Sequence, residues 1–384
     1  LEDNFLKSKK IGKKIRIGYY SADFGEHAMS YLLANLFELH DKSKFEIIAF
    51  SFGSHNQSKI GQRVHNAFNK FFDVSFNSDH EIVELSKKLN IEIAVDLMGF
   101  TKKNRFGIFH KRCAPIQVNY LGYPGTLGNN CIDYLIADKI IIPRKNEKYY
   151  TEKIVYLPNT YQVNDSKKKI SKNFFSKKEF GIPENSFIFC CFNQNYKINP
   201  KIFNIWMDLL LEVKNSTLWL IEDNEISIKN LKKEAEKKMV NQNRIIFAKR
   251  LPNEKHLARH KLADLFIDTF PYTAHTTGSD ALWSGLPLVT LKGETFASRV
   301  ASSLLNAVNL PELVTTSYEE YKELAIKLSL NPKILQTFKK KLEKNISEKP
   351  LFNTKLFVKN IESAFIQMHD RYYKGMPKEN IYIK

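Results

Sequence analysis

Apolar and polar positions along this chain fall into two alternating rhythms. Short apolar runs that read as buried strands are each followed by a stretch in which apolar residues recur at helical spacing. Ile15 to Tyr20 predicts a first strand, and Leu32, Leu33, Leu36 and Phe37 mark one face of the helix after it. Strands are expected at Phe45 to Phe50, Ile91 to Asp96, Ile116 to Tyr120, Asp133 to Asp138 and Ile154 to Leu157, with helices near residues 57–68 and over Glu81 to Leu89. A second series begins at Ser186 to Phe192. Asn199 and Pro200 then suit the N-cap and first position of a helix that buries Ile202, Phe203, Trp206, Leu209, Leu210 and Val213. Strands follow at Leu218 to Ile221, Arg244 to Phe247, Leu265 to Ile267 and Leu288 to Thr290.

Strand and helix alternating at this spacing predict parallel sheets covered by helices on both faces. With 384 residues the chain is too long for one core and suits two α/β domains. The expected division is a polar tail over residues 1–14, a first Rossmann-like domain over 15–165 and a lysine-rich linker over 166–176. A second Rossmann-like domain follows over 177–345, then a C-terminal helix and tail over 346–384, where Leu356 to Tyr372 carries one apolar face.

Composition narrows the classes. A hydrophobic content of 43% is that of a folded protein, and no apolar stretch approaches the length of a membrane span. The four cysteines, Cys113, Cys131, Cys190 and Cys191, lack metal or redox spacing and fit reduced thiols in a cytoplasmic protein. The net charge of +18 is spread over loops and helix surfaces. Without a basic helix of base-reading spacing or an aromatic-basic module, it predicts attraction of anionic substrates or acidic partners, not specific nucleic-acid binding. The chain opens on Leu1 and not Met, as a piece of a longer protein would.

Candidate chemistry gathers just after the strands, where open α/β sheets bind ligands. After Leu265 to Ile267 comes Asp268-Thr-Phe-Pro-Tyr272-Thr-Ala-His275-Thr276-Thr277-Gly278-Ser-Asp280, a loop of small hydroxyl residues leading into a helix. A helix start of this kind favours a phosphate through its free N–H groups and dipole, and Asp280 suits a ribose hydroxyl. The same residues also fit an ordinary start, with Thr277 as N-cap and Asp280 completing a capping box. Gln194 and Lys197, His256 and Arg259, and Gly293 to Thr295 follow the other strands of this series, and their convergence suggests a diphosphate. Taken singly, Lys197 reads as a surface charge. In the first half His27 follows the first strand as a proton carrier or a backbone-bonded residue, and Asp96 ends a strand as a base or a turn cap.

Several stretches resemble the catalytic region of O-linked N-acetylglucosamine transferases, in particular the bacterial SPINDLY-like branch. These are Ser21 to His27, Ala114 to Thr126, Phe192 to Lys197, Asp268 to Gly278 and Gly293 to Arg299. The resemblance runs over residues 15–350 in order. It implies the GT-B architecture, two Rossmann-like doubly wound domains facing a cleft, with a C-terminal helix packing back on the first. It further implies nucleotide-sugar binding by Gln194, Lys197, His256, Arg259, His275, Thr276, Thr277 and Asp280. Lys197 would stabilise the leaving phosphate, His256 and Arg259 would serve the uracil and phosphate sides, and His27 would be the active-site histidine. Asn253 and Tyr272 stand where animal members carry lysine and cysteine, and Ala28 replaces a common proline. The tetratricopeptide repeats that grip acceptors in this family are absent from these residues; either they belong to a part of the protein upstream or acceptors are found otherwise.

The expected activity is inverting transfer of a sugar, N-acetylglucosamine first, from a UDP-sugar to protein Ser or Thr hydroxyls. No cofactor or metal is expected, since the second half lacks an Asp-x-Asp motif. His27 is the first choice of base and Asp96 the second. An asparagine glucosyltransferase and a GDP-fucose O-fucosyltransferase share the fold expected here. A non-catalytic nucleotide-sugar or protein-binding module is the rival outside enzymes.

Overall fold

The computed structural model describes residues 14–53, 58–172 and 175–384. The first thirteen residues of the expected tail, the first residue of the helix expected near 57–68, and residues 173–174 of the expected linker lie outside this range. The chain divides into two compact units, residues 1–167 with 353–384, and residues 168–352.

The first unit opens with β1 (Ile15–Ser21), α1 (Ala28–Leu39), β2 (Phe45–Ser51), α2 (Lys59–Ala67), β3 (Lys70–Asp73), α3 (Asp79–Lys88) and β4 (Ile93–Asp96). The short helix α4 (Gly107–His110) and strands β5 (Ile116–Asn119), β6 (Tyr134–Asp138) and β7 (Lys153–Leu157) follow. The second unit runs β8 (Phe187–Cys191), α5 (Pro200–Glu212), β9 (Ser216–Ile221), α6 (Glu225–Lys237), β10 (Ile245–Ala248), α7 (Asn253–Arg259), β11 (Leu265–Ile267) and α8 (Thr276–Trp283). It closes with β12 (Leu288–Leu291), α9 (Val300–Ala307), β13 (Val314–Thr315), α10 (Tyr318–Leu330) and α11 (Pro332–Glu348). The chain then returns to the first unit as α12 (Thr354–Tyr373) and β14 (Ile381–Tyr382).

Both sheets are parallel throughout. The second has the order β10-β9-β8-β11-β12-β13, and the first β14-β7-β6-β5-β4-β1-β2-β3. In each, strand order reverses once, between β8 and β11 and between β1 and β4. At such a reversal neighbouring crossovers leave on opposite faces, and a crevice opens beyond the strand ends. The core strands are apolar on both faces, as a doubly covered sheet requires. Cys190, Phe189, Leu218, Trp219, Leu265 and Phe266 all have no exposed surface.

Three strands went unpredicted. Lys70-Phe-Phe-Asp73 is an edge strand with only two apolar residues between charges, and β13 and β14 have two residues each. Arg244, expected to open a strand, instead ends a 3-10 turn and the strand starts at Ile245.

The apolar face predicted for the last helix packs within the first unit. Phe357, Val358, Ile361, Ala364, Phe365 and Met368 of α12 are buried. Polar ties fix its register: Glu362 accepts from His40 Nδ1 at 2.9 Å and from the Asp41 amide at 2.7 Å, and His369 Nε2 lies 3.0 Å from Glu92. Among the described residues no helix is long and apolar enough to cross a membrane, and all four cysteines are free thiols.

Candidate active site

The second unit builds its site at the end of β11. Asp268 is the first residue beyond that strand and is fully buried. Its Oδ1 accepts from the amides of Thr269 and Ala274 at 2.8 and 2.7 Å and from Asn193 Nδ2 at 3.0 Å. Its Oδ2 accepts from Thr290 Oγ1 at 2.7 Å. One carboxylate therefore organises the whole loop from 268 to 275. Burial raises its pKa to about 6 against these hydrogen bonds.

That loop delivers the chain to α8, which starts at Thr276 with His275 at the N-cap and no side-chain cap. The capping-box reading of Thr277 and Asp280 is thus corrected. The Thr277 hydroxyl instead donates to Asn193 Oδ1, and the Asp280 carboxylate faces the Lys168 ammonium at 2.7 Å. The first backbone bond of the helix runs from the Ser279 amide to the His275 carbonyl at 3.1 Å, leaving the amides of Thr276, Thr277 and Gly278 as donors for an anion.

Lys197, on a 3-10 turn after β8, reaches the same loop. Its ammonium donates to the Thr273 carbonyl at 3.0 Å and lies over the Tyr272 ring. It is not the solvated surface charge that its sequence neighbourhood suggests. Burial lowers its pKa to about 8, opposed by the negative charge of Asp268. His275 is held neutral by burial and by Lys197, and its Nε2 faces the Ala297 carbonyl at 3.4 Å.

The remaining predicted residues lie on the same sheet edge. Gln194 Oε1 accepts from Arg250 at 3.3 Å. His256 Nδ1 faces Arg259, which can only donate, so the neutral His256 ring carries its proton on Nε2. Burial and neighbouring cations keep His256 neutral. Arg259, expected on the phosphate side, has no exposed surface. Its guanidinium donates to the Lys249 carbonyl at 2.6 Å, lies 4.5 Å from the Phe192 ring centre and faces His256 Nδ1.

In the first unit, His27 and Asp96 flank the β1/β4 reversal. His27 is the exposed N-cap of α1, with Nδ1 accepting from the Met29 amide at 3.3 Å. In that arrangement the neutral ring holds its proton on Nε2. Nδ1 also lies 3.5 Å from Asp23 Oδ2; in the other neutral tautomer the proton sits on Nδ1 facing that carboxylate and Nε2 is an acceptor. Asp96 is buried and accepts from the Met98 and Gly99 amides at 2.8 and 3.1 Å. It holds the turn after β4, the second of the two readings its sequence position allowed. Burial raises its pKa to about 6.

Asp268, Asn193, Arg250 and Lys168 carry structural work here that the sequence did not assign. A carboxylate directly after a buried apolar strand was the available signal for Asp268. Nothing local marks Lys168.

A family model described as glycosyl transferase family 41 matches residues 3–173 and 169–361. The chain is 38% identical over 374 residues to an Arabidopsis thaliana protein named probable UDP-N-acetylglucosamine–peptide N-acetylglucosaminyltransferase SEC, with 96% of this chain and 38% of the relative covered. A Caenorhabditis elegans UDP-N-acetylglucosamine–peptide N-acetylglucosaminyltransferase is 26% identical, with 97% and 42% covered. The chain thus spans about two fifths of the length of these curated relatives. A solved structure of a mutant Thermobaculum terrenum O-GlcNAc transferase superposes with a TM-score of 0.87 at 28% identity, over 95% of this chain and 69% of that one.

Proposed function

The chain belongs to glycosyl transferase family 41, and from that premise we propose that it transfers N-acetylglucosamine from its UDP conjugate to Ser or Thr hydroxyls of a protein acceptor. The observation that carries this reading is the pairing of Lys197 with the uncapped N-terminus of α8 around the loop that Asp268 holds. A diphosphate is the ligand that such a cation and three free amides suit. The names of the relatives supply the nucleotide sugar and the peptide acceptor.

In the proposed reaction the acceptor oxygen attacks the anomeric carbon as the bond from that carbon to the diphosphate oxygen breaks. The acceptor proton passes to a base and UDP departs. Negative charge grows on the leaving diphosphate, where Lys197 and the amides of Thr276 to Gly278 are already oriented. Such preorganised donors contribute roughly 10²–10³ in rate each. We assign the base to His27, acting in the tautomer that gives up the Met29 amide bond and carries its proton on Nδ1 toward Asp23. Asp96 has Oδ1 committed to the Met98 and Gly99 amides, and Oδ2 shares the Gly99 amide at 3.1 Å. The proposed charge stabilisation comes from the protein alone and needs no metal. Four free thiols support a reducing, cytoplasmic setting.

The test is incubation of the protein with UDP-N-acetylglucosamine and Ser/Thr-rich acceptor peptides, with and without a chelator, followed by peptide mass. Addition of one N-acetylhexosamine in both conditions supports the reading. Transfer only from GDP-fucose, or only onto asparagine, would overturn it.

A further inference from the structure

Residues 167–169 are three consecutive lysines in a stretch that reads as a solvated linker, yet only the middle one is buried. Lys167 is exposed and pairs with Glu38. Lys168 has a side chain 2% exposed, and its ammonium meets Oδ1 of Asp280, itself 7% exposed, at 2.7 Å. A lysine is almost never buried without a partner. Such a pair contributes little net stability, because desolvating both charges offsets their attraction. Its consequence is orientation.

Asp280 stands four residues beyond Thr276 on α8, one turn along the axis from the amides that face the diphosphate, or about 6 Å at the rise of an α-helix. That is the separation at which a nucleotide's ribose follows its phosphates. Among the described residues only Oδ1 has a hydrogen-bond partner, so one oxygen is held and Oδ2 keeps its acceptor capacity. The nearby imidazole does not share the task. His260 donates from Nδ1 to the His256 carbonyl at 2.8 Å, and burial holds it neutral.

We propose that Lys168 is a positioning residue, which fixes the Asp280 carboxylate as the acceptor for the ribose hydroxyls of the donor and thereby sets selectivity for ribonucleotides. The proposal rests on the uridine-nucleotide reading above. Without the ammonium, Asp280 is free to turn and its Oδ2 no longer faces one direction. The lysine never touches the nucleotide.

The test is calorimetric titration of UDP and of 2′,3′-dideoxyuridine diphosphate into the wild type, Lys168→Met and Lys168→Arg, with a melting curve for each. The wild type should bind UDP on the order of 10–100-fold more tightly, the worth of a hydrogen bond to a charged group. Lys168→Met should lose most of that ratio by weakening UDP alone, and Lys168→Arg should restore it. A Lys168→Met protein that weakens both ligands equally, or neither, overturns the proposal. Should that variant fail to fold, Lys168→Gln keeps a neutral donor to Asp280. It should show a reduced ratio, and an unchanged ratio overturns the proposal. A wild type that binds neither nucleotide overturns the uridine reading and the proposal with it. A wild type that binds both equally overturns only the ribose role.

Discussion

The Lys197 ammonium lies 3.8 Å from the centre of the Tyr272 ring. The ring covers one side of the cation while the Thr273 carbonyl takes one of its protons. The charge is therefore aimed, and it is held in a setting dry enough to lower its pKa to about 8. If this charge stabilises the departing diphosphate, kcat/KM for the donor should fall as pH rises through about 8. The sign follows from the form lost: above that pH the free enzyme carries a neutral amine. Asp268 favours the protonated amine, so Asp268→Asn should move the alkaline limb to lower pH. A limb that stays in place in Asp268→Asn contradicts the coupling.

Thr276 and Thr277 should separate binding from stability. If Thr276 gives its amide and hydroxyl to the diphosphate as proposed, Thr276→Val should weaken UDP roughly 10-fold, one charge-assisted hydrogen bond, with little change in melting. Thr277 spends its hydroxyl on Asn193. Thr277→Val leaves a buried amide oxygen unpaired and should cost about 1–3 kcal/mol of stability. Titration and denaturant unfolding of the two variants measure this, and equal effects from both would contradict the division.

Much of this arrangement was legible because parallel-sheet logic is local. The runs Ser186 to Phe192 and Leu265 to Ile267 announce buried strands, and residues directly after them share one sheet edge. That placed Gln194, Lys197 and His275 to Asp280 correctly on that edge. What escaped were contacts whose partners are far away in sequence. Lys168 and Asp280 are separated by 112 positions, and a run of lysines looks like solvent until the carboxylate is seen. Arg259 reads as a phosphate ligand until the aromatic wall of Phe192 and the Lys249 carbonyl enclose it. Lys70 to Asp73 pairs only at the sheet edge, where few apolar residues are needed.

The return of the chain to the first unit should matter for stability. Phe365 of α12 is fully buried, and its ring lies 6.3 Å from that of His40. Phe365→Ala should destabilise the protein by about 3–5 kcal/mol, the usual cost of emptying a buried phenylalanine site. Urea unfolding reads this directly. A loss below about 1 kcal/mol, which peripheral packing would give, would contradict the role of α12 in that core.

His27 and Asp96 make separable demands. Loss of a general base lowers turnover by roughly 10²–10⁴. His27→Ala should do so while leaving UDP affinity unchanged. Asp96→Asn should mainly disturb the turn after β4 and lower the melting temperature. Full turnover in His27→Ala would remove it from the chemistry.

Calorimetric titration of UDP into the wild type and Lys197→Met, with chelator present, tests the central claim most directly. The account predicts binding by the wild type without divalent metal, and binding weakened at least 10-fold in a variant that stays folded. Equal affinity in the two proteins would contradict the assignment of the diphosphate to Lys197 and the start of α8.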